Sequence, residues 1–502
     1  MKTQRVNISY CDLLYEKILK IKKYWHIITL ILIMLLALFL RFWNFQNRYG
    51  IGYDGSRDAI VSLESARQFQ LPLTGSFSSI GPITFGPWYY YYLILSNFII
   101  PSVWAPWISI GLASFFMVFV MYKIGCIFHE KYFGIILALI TSISPAQILA
   151  STQLQQHALI GFLSSSTIYL YLLHFKNTPK KHLSTLWGFI IGIAINMHYQ
   201  ATGLLILPFL LFILSKRKES IFFFLLGFLF SMIPLLIFEL NNHWFNTRNI
   251  IDYILVGQYR VWTSNRWLSF IGKFWPEFWS YVVGTPYWIS FILMLGTVFL
   301  FTIKFFQKKL SLIFGLILIS FIIQVIILRY YRGEKFFGYL QFFHPYLIIF
   351  TGYPIFLLLK KIHNLSLSFL LILIYILLVF PNSIKFISVN KFNMETKQRM
   401  NTLIMNYPKT KFATYECKKV FDTDRIQGLL LFLYINRLYD DNGRKIALYN
   451  PGCTYSQGKI LNNEIVDISS LTEAKIVTGG LEPITPLQIY TGTARWWFKE
   501  QP

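Results

Sequence analysis

Apolar runs long enough to cross a membrane recur from residue 27 to residue 381, and every second connection between them is short and basic. A spanning helix needs about 20 mostly apolar residues, because the bilayer core offers the backbone no partner but itself. The runs fall at 27–42, 107–122, 132–149, 158–175, 184–200, 201–215, 221–238, 285–303, 310–328, 345–359 and 365–381. Charged residues make up only 14% of the 502, against about 25% in an average soluble domain. That composition excludes a soluble enzyme, a disordered chain, a coiled coil and a disulfide-stapled secreted domain. The net charge of +24 would suggest nucleic acid in a soluble protein. Here cytoplasmic loops account for it, and no nucleic-acid partner is expected.

Charge sets the orientation. Lys17, Lys20, Lys22 and Lys23 precede the first run, so residues 1–25 read as cytoplasmic. With Trp88 to Ile100 lying along the outer surface, the inner connections become Lys176/Lys180/Lys181, Lys216/Arg217/Lys218, Lys304/Lys308/Lys309 and Lys360/Lys361. Trp88 and Tyr89 to Tyr92 suit such an interfacial segment, and Pro101 and Pro106 follow it. The expectation is an all-α polytopic membrane protein of about eleven spans over 26–381, with its outer loops at 43–105, 239–284 and 329–344.

Composition changes near Pro381. Residues 382–502 have ordinary polarity, turns such as Asp440-Asp441-Asn442-Gly443, and short strand-like runs KFATYE and KIALYN around a helical 425–438. They predict a small extracytoplasmic α/β domain. Cys417 and Cys453 both fall in it, so a disulfide is open in an oxidising compartment. There is no CxxC, HExxH, GxSxG or phosphate-cradling glycine loop. Asp422-Thr423-Asp424 reads as a solvated turn or helix cap.

Chemistry concentrates at the outer ends of the runs. Tyr53-Asp54-Gly55-Ser56-Arg57-Asp58 follows the first span by about a dozen residues. A surface helix is expected from Asp58 onward, with Asp54 before it in a turn. A carboxylate beside Arg57 can act as a general base, and cations nearby keep it ionised. Asp58 reads either as a helix-start residue or as a substrate contact. Gln156 and His157, then His198, then Arg329, Arg332, Lys335 and His344, sit at the same level. Each alone suits an interface anchor; together they put cations and acceptors on one face, where arginine can grip a lipid phosphate.

The order of these features resembles the GT-C superfamily of lipid-linked-sugar glycosyltransferases, in its protein-mannosyltransferase and aminoarabinose-transferase-like branch (glycosyltransferase family 39-like). That branch often carries Asp-Glu-Ala and then a helix ending Ala-Arg-Glu, which can be laid without gaps on Asp54 to Glu64. Its second residue is Gly55 here, so a second carboxylate would have to come from Asp58. SIGPITFGPWYYYYL at 79–93, SPAQILAS at 144–151, GIAINMHYQA at 192–201 and IPLLIFELNNHWFNT at 233–247 are similar to stretches of a bacterial subgroup. The likeness covers about 1–350.

The resemblance implies transfer of a sugar from a polyprenyl-phosphate donor to a hydroxyl of a glycan, lipid or protein acceptor, usually with inversion. Asp54 would be the base. Arg329, Arg332 or Lys335, then Arg57, would hold the phosphate. Gln156, His157 and His198 would line the sugar or acceptor pocket. His344, before Pro345, resembles a residue near the start of a late family span. No metal ligand set is expected, and a divalent cation is left open. The rival reading, a lipid or glycan transporter or flippase, calls for polar groups at mid-membrane; Gln324 is a rare one.

Overall fold

A computed structural model describes residues 10–50, 53–78, 82–176, 180–215, 218–256, 267–331, 335–362, 364–388, 391–417, 423–448, 459–462, 465–469 and 481–493. The membrane part contains α1 (Tyr10–Phe42), α2 (Tyr53–Gln68), α3 (Trp88–Ile99), α4 (Ala105–Phe128), α5 (Lys131–Ser142), α6 (Pro145–Ala150) and α7 (Ile160–Lys176). It continues with α8 (Lys181–Met197), α9 (Ile206–Ser215), α10 (Lys218–Asn241), α11 (Phe245–Leu255), α12 (Trp275–Val283), α13 (Tyr287–Phe306), α14 (Leu312–Tyr330), α15 (His344–Lys361) and α16 (Leu365–Lys385).

Among the described residues, eight helices are long and apolar enough to cross a membrane. They fall on eight of the eleven expected runs. The other three are shorter for visible reasons. Run 132–149 breaks at Ser144-Pro145, where the serine caps α6, accepting from Gln147 N (3.4 Å) and donating to Val282 O (2.6 Å). Run 201–215 starts as a 3₁₀ turn, Tyr199–Leu205, before α9. Helix α8 has 17 residues. Helix α3 has 12, short of a spanning length.

Three of the expected inner connections, through Lys176, Lys304 and Lys360, meet at one end of the bundle. Lys360 Nζ lies 3.3 Å from Glu130 Oε1, Lys304 Nζ donates to Tyr353 Oη (2.8 Å), and Lys176 Nζ bonds Ile127 O. At the other end, buried Arg41 donates to Ser114 Oγ (3.0 Å) and to the carbonyls of Thr141 (3.2 Å) and Ser142 (3.0 Å). There it compensates the negative terminus of α5.

Helices α8 and α10 cross with no room for side chains at the contact. A Cβ on Gly188 would lie 1.9 Å from Phe224 O, on Gly192 1.8 Å from Ser231 Oγ, and on Gly227 1.9 Å from Thr185 O. Gly227→Val is therefore expected to force the pair apart and destabilise the fold by roughly 1–3 kcal/mol, as overpacking does. Thermal unfolding in detergent checks it; an unchanged midpoint would refute the tight crossing.

The tail contains α17 (Lys391–Asn406), α18 (Thr423–Ile435) and α19 (Pro486–Thr493) with a five-stranded sheet. The strands are β1 (Phe412–Cys417), β2 (Arg444–Leu448), β3 (Lys459–Asn462), β4 (Ile465–Asp467) and β5 (Leu481–Ile484), in the order β3-β4-β2-β1-β5. Strands β1 and β2 run parallel, with Phe412 beside Arg444, and α18 joins them; the other pairings are antiparallel. Helices α18 and α19 pack on α2, where Tyr434 Oη donates to Glu64. Cys453 and Asp422 lie outside the described residues.

Candidate functional site

Helix α2 begins one residue before Asp54, which corrects the expectation of a preceding turn. An acidic residue in the first turn suits the helix dipole, and one turn on Arg57 Nη1 pairs with Asp54 Oδ1 at 2.8 Å. Arg57 Nε also donates to Asp58 Oδ1 (2.9 Å), which accepts Tyr90 Oη of α3 (2.7 Å). Asp58 is therefore no helix cap. It is buried, whereas the Asp54 side chain is 49% exposed. Burial pushes the Asp58 carboxyl up, opposed by Arg57. Burial alone would lower Arg57; Asp58, Tyr90 and Asp54 outweigh it and hold the guanidinium charged.

These residues border a cavity of about 1100 Å³. One wall is a paired segment in which Gly75 N donates to Phe85 O (2.8 Å) and Phe85 N to Ser76 O (3.0 Å). It is tied down by Gly86 N to Asn196 O (2.8 Å), Thr84 N to Asn246 Oδ1 (2.7 Å) and Tyr199 Oη to Thr84 O (2.6 Å). Gly86 admits no side chain, since a Cβ there would lie 1.7 Å from Asn196 Oδ1. Glu239 holds the N-terminus of α11, accepting from the backbone N–H groups of Asn246 and Thr247 at 2.9 Å each.

Six of the site residues expected from the sequence line this cavity, Asp54, Arg57, Asp58, Gln156, His157 and His198, and so does Gln324. The two histidines flank Tyr339, with ring centroids 5.3 Å away for His157 and 4.7 Å for His198. Other lining residues went unrecognised in the sequence, among them Gln155, Tyr253, Tyr331 and Tyr339. Their aromatic character reads equally as interface anchoring, so no local signal separates them. Tyr253 and Tyr331 meet through their hydroxyls at 3.1 Å.

Arg329, Lys335 and His344 do not line it. Arg329 ends α14, its guanidinium 5.1 Å from the Trp267 ring and its Nε without a partner among the described residues. Burial, and then Arg329, push the Lys335 ammonium below its usual value. Their sequence neighbours Leu328, Tyr331 and Phe336 do line the cavity. His344 is fully buried in the first turn of α15, its Nδ1 2.7 Å from Gln147 Nε2. Arg332 lies outside the described residues.

No protein-family model matches the sequence, and no curated protein matches it significantly. Solved structures do match in fold. ArnT from Cupriavidus metallidurans bound to undecaprenyl phosphate is similar at a TM-score of 0.55 and 11% identity, over 87% of this chain and 97% of that one. Its apo state matches at 0.54, with 10% identity, 89% of this chain and 97% of that one. The apo oligosaccharyltransferase of Archaeoglobus fulgidus matches at 0.50 and 15% identity, over 77% of this chain. The present chain spans 59% of that longer protein. The likeness read from the sequence therefore holds at the level of architecture: the chain has an ArnT-like fold.

Proposed function

We propose that this protein is a membrane glycosyltransferase that moves a sugar from a polyprenyl-phosphate donor to an acceptor hydroxyl at the outer membrane face, with inversion. One observation carries the reading. The Asp54 carboxylate, anchored by Arg57, faces a large cavity whose lining also includes Phe209, Ile254 and Ile327, each more than half exposed on the apolar flank of the bundle. A carboxylate and a lipid-side wall around one space suit a substrate whose reacting end is polar and whose tail stays in the bilayer.

Asp54 takes the proton of the acceptor hydroxyl as its oxygen attacks the anomeric carbon. The bond from that carbon to the phosphate oxygen breaks, and polyprenyl phosphate leaves with the electron pair. Neutralising that charge is the protein's remaining task. Arg57 lines the cavity but is committed to two carboxylates, so the phosphate falls to Arg329 and Lys335, which do not line it but adjoin Leu328 and Phe336, which do; Arg332 lies between them in sequence. The fold shared with ArnT, which was solved with undecaprenyl phosphate, supports the donor class. His344, bonded to Gln147, orders the core beneath.

Transfer of radiolabelled sugar from a panel of polyprenyl-phosphate sugars in proteoliposomes tests the proposal. Turnover of at least one donor supports it. A protein inert to all of them that still moves the lipid across the bilayer is a transporter instead.

The phosphate site carries its own prediction. A bound phosphate would return the lowered Lys335 toward its ordinary value, so binding takes up a proton. Polyprenyl-phosphate affinity should then weaken as pH rises from the lowered pKa toward about 10.4, a step separate from the phosphate's own second ionisation near about pH 6. Arg329→Ala should cost roughly tenfold or more in affinity, the worth of a charge-assisted hydrogen bond. Lys335→Gln should abolish the alkaline step; a Gln variant that keeps that step removes Lys335 from the site.

A further inference from the structure

Gln324 lies within α14, five residues below Arg329, among Ile322, Ile326 and Ile327. A carboxamide inside a spanning segment is costly unless partnered or used. It is 3% exposed and held from behind: its Nε2 donates to Ser320 Oγ (3.0 Å) and to Tyr346 Oη (3.2 Å), and those hydroxyls are 3.3 Å apart. Its Oε1 has no hydrogen-bond partner among the described residues. Leaving a buried acceptor unmet costs about 1–3 kcal/mol.

The residue is nonetheless part of the cavity wall, and so is Gly203 opposite. A Cβ on Gly203 would come within 3.2 Å of both Gln324 Cγ and Oε1, so the glycine keeps its own side of the amide free of a side chain. Two hydroxyls fix one end of the amide, the other end is unmet, and the neighbour that would cover it has no side chain. A hydroxyl suits such an end whichever way the amide is turned, being donor and acceptor at once.

We infer that Gln324 is a specificity-determining residue that hydrogen-bonds a hydroxyl of the substrate sugar at the membrane-ward end of the cavity. This rests on the transferase reading above. It assigns that end to a polyhydroxylated ring rather than to isoprene units, which have nothing to offer the amide. It also gives a use to the one carboxamide of α14, whose other polar residue below Arg329 is Ser320.

The test compares transfer from a polyprenyl-phosphate sugar that the wild type uses with transfer from its monodeoxy analogues. The wild type should reject one analogue by roughly tenfold to hundredfold in kcat/KM, as a lost hydrogen bond with an unmet partner dictates. Gln324→Met, close in volume, should use parent and analogue equally, at the wild type's rate for the analogue. Gly203→Ala should narrow the discrimination in the same direction. A structural role alone would lower all donors in parallel and leave the discrimination intact, which overturns the assignment. So does a wild type that accepts every monodeoxy analogue equally. A wild type inert toward every donor instead overturns the transferase reading, and this assignment with it.

Discussion

Asp54→Asn is expected to lower sugar transfer by about two to four orders of magnitude, the range a positioned general base supplies, while donor binding stays near the wild-type level. The substitution removes the proton acceptor but little volume, and Arg57 keeps its bond to the buried Asp58. The fold should therefore survive, and thermal unfolding in detergent verifies that before any rate is read. Since Asp54 contacts Arg57 and the cavity, a reduced rate alone would not separate base from anchor. Donor affinity separates them: a base mutant retains it, whereas an anchor mutant that lets α2 shift loses both. A variant that still transfers at more than a tenth of the wild-type rate would end the assignment of Asp54 as base.

Much of the architecture was legible because bilayer physics leaves few options. Eight runs became helices of crossing length, and the two main strands and the helix of the tail lie within a few residues of KFATYE, KIALYN and 425–438. Strands β3 and β4 were not foreseen; they have four and three residues, too short for an alternating pattern to declare itself. Strand β5 carries Pro483, which its position at the sheet edge tolerates. The start of α2 was misplaced because Gly55 and Ser56 are poor helix formers. The Asp54–Arg57 pair and the contact of Asp58 with Tyr90 outweigh that propensity, and the second of these joins residues 32 apart.

The site divides in the same way. Asp54, Arg57, Asp58, His157 and His198 could be picked out because a titratable group beside an apolar run is conspicuous. Tyr339 and Tyr331 could not, because an aromatic near a membrane interface has an ordinary explanation. His344 drew notice for the same reason as the other histidines, yet its partner Gln147 lies 197 positions away, in the SPAQILAS stretch, where nothing local names that partner. Only the folded chain tells a buried core histidine from one that lines a cavity.

The ion cluster behind Asp54 gives the second large effect. Asp58→Leu should destabilise the protein by roughly 3–5 kcal/mol, because it strips the largely buried Arg57 guanidinium of one carboxylate and leaves Tyr90 without its acceptor. Arg57→Met should cost a similar amount, since Asp58 is then buried with no cation beside it. Activity falls in both for different reasons. Without Asp58, Arg57 pairs with Asp54 alone and draws its charge away from the acceptor proton; without Arg57, Asp54 loses the contact that orients it. The double substitution Arg57→Met with Asp58→Leu should recover most of the stability, since an apolar pair needs no desolvation of charge, but none of the activity. Unfolding midpoints and transfer rates of the four proteins decide the matter. If the double variant loses the sum of the two single losses, Arg57 and Asp58 are not a coupled pair, and the cluster does not hold the start of α2 as argued.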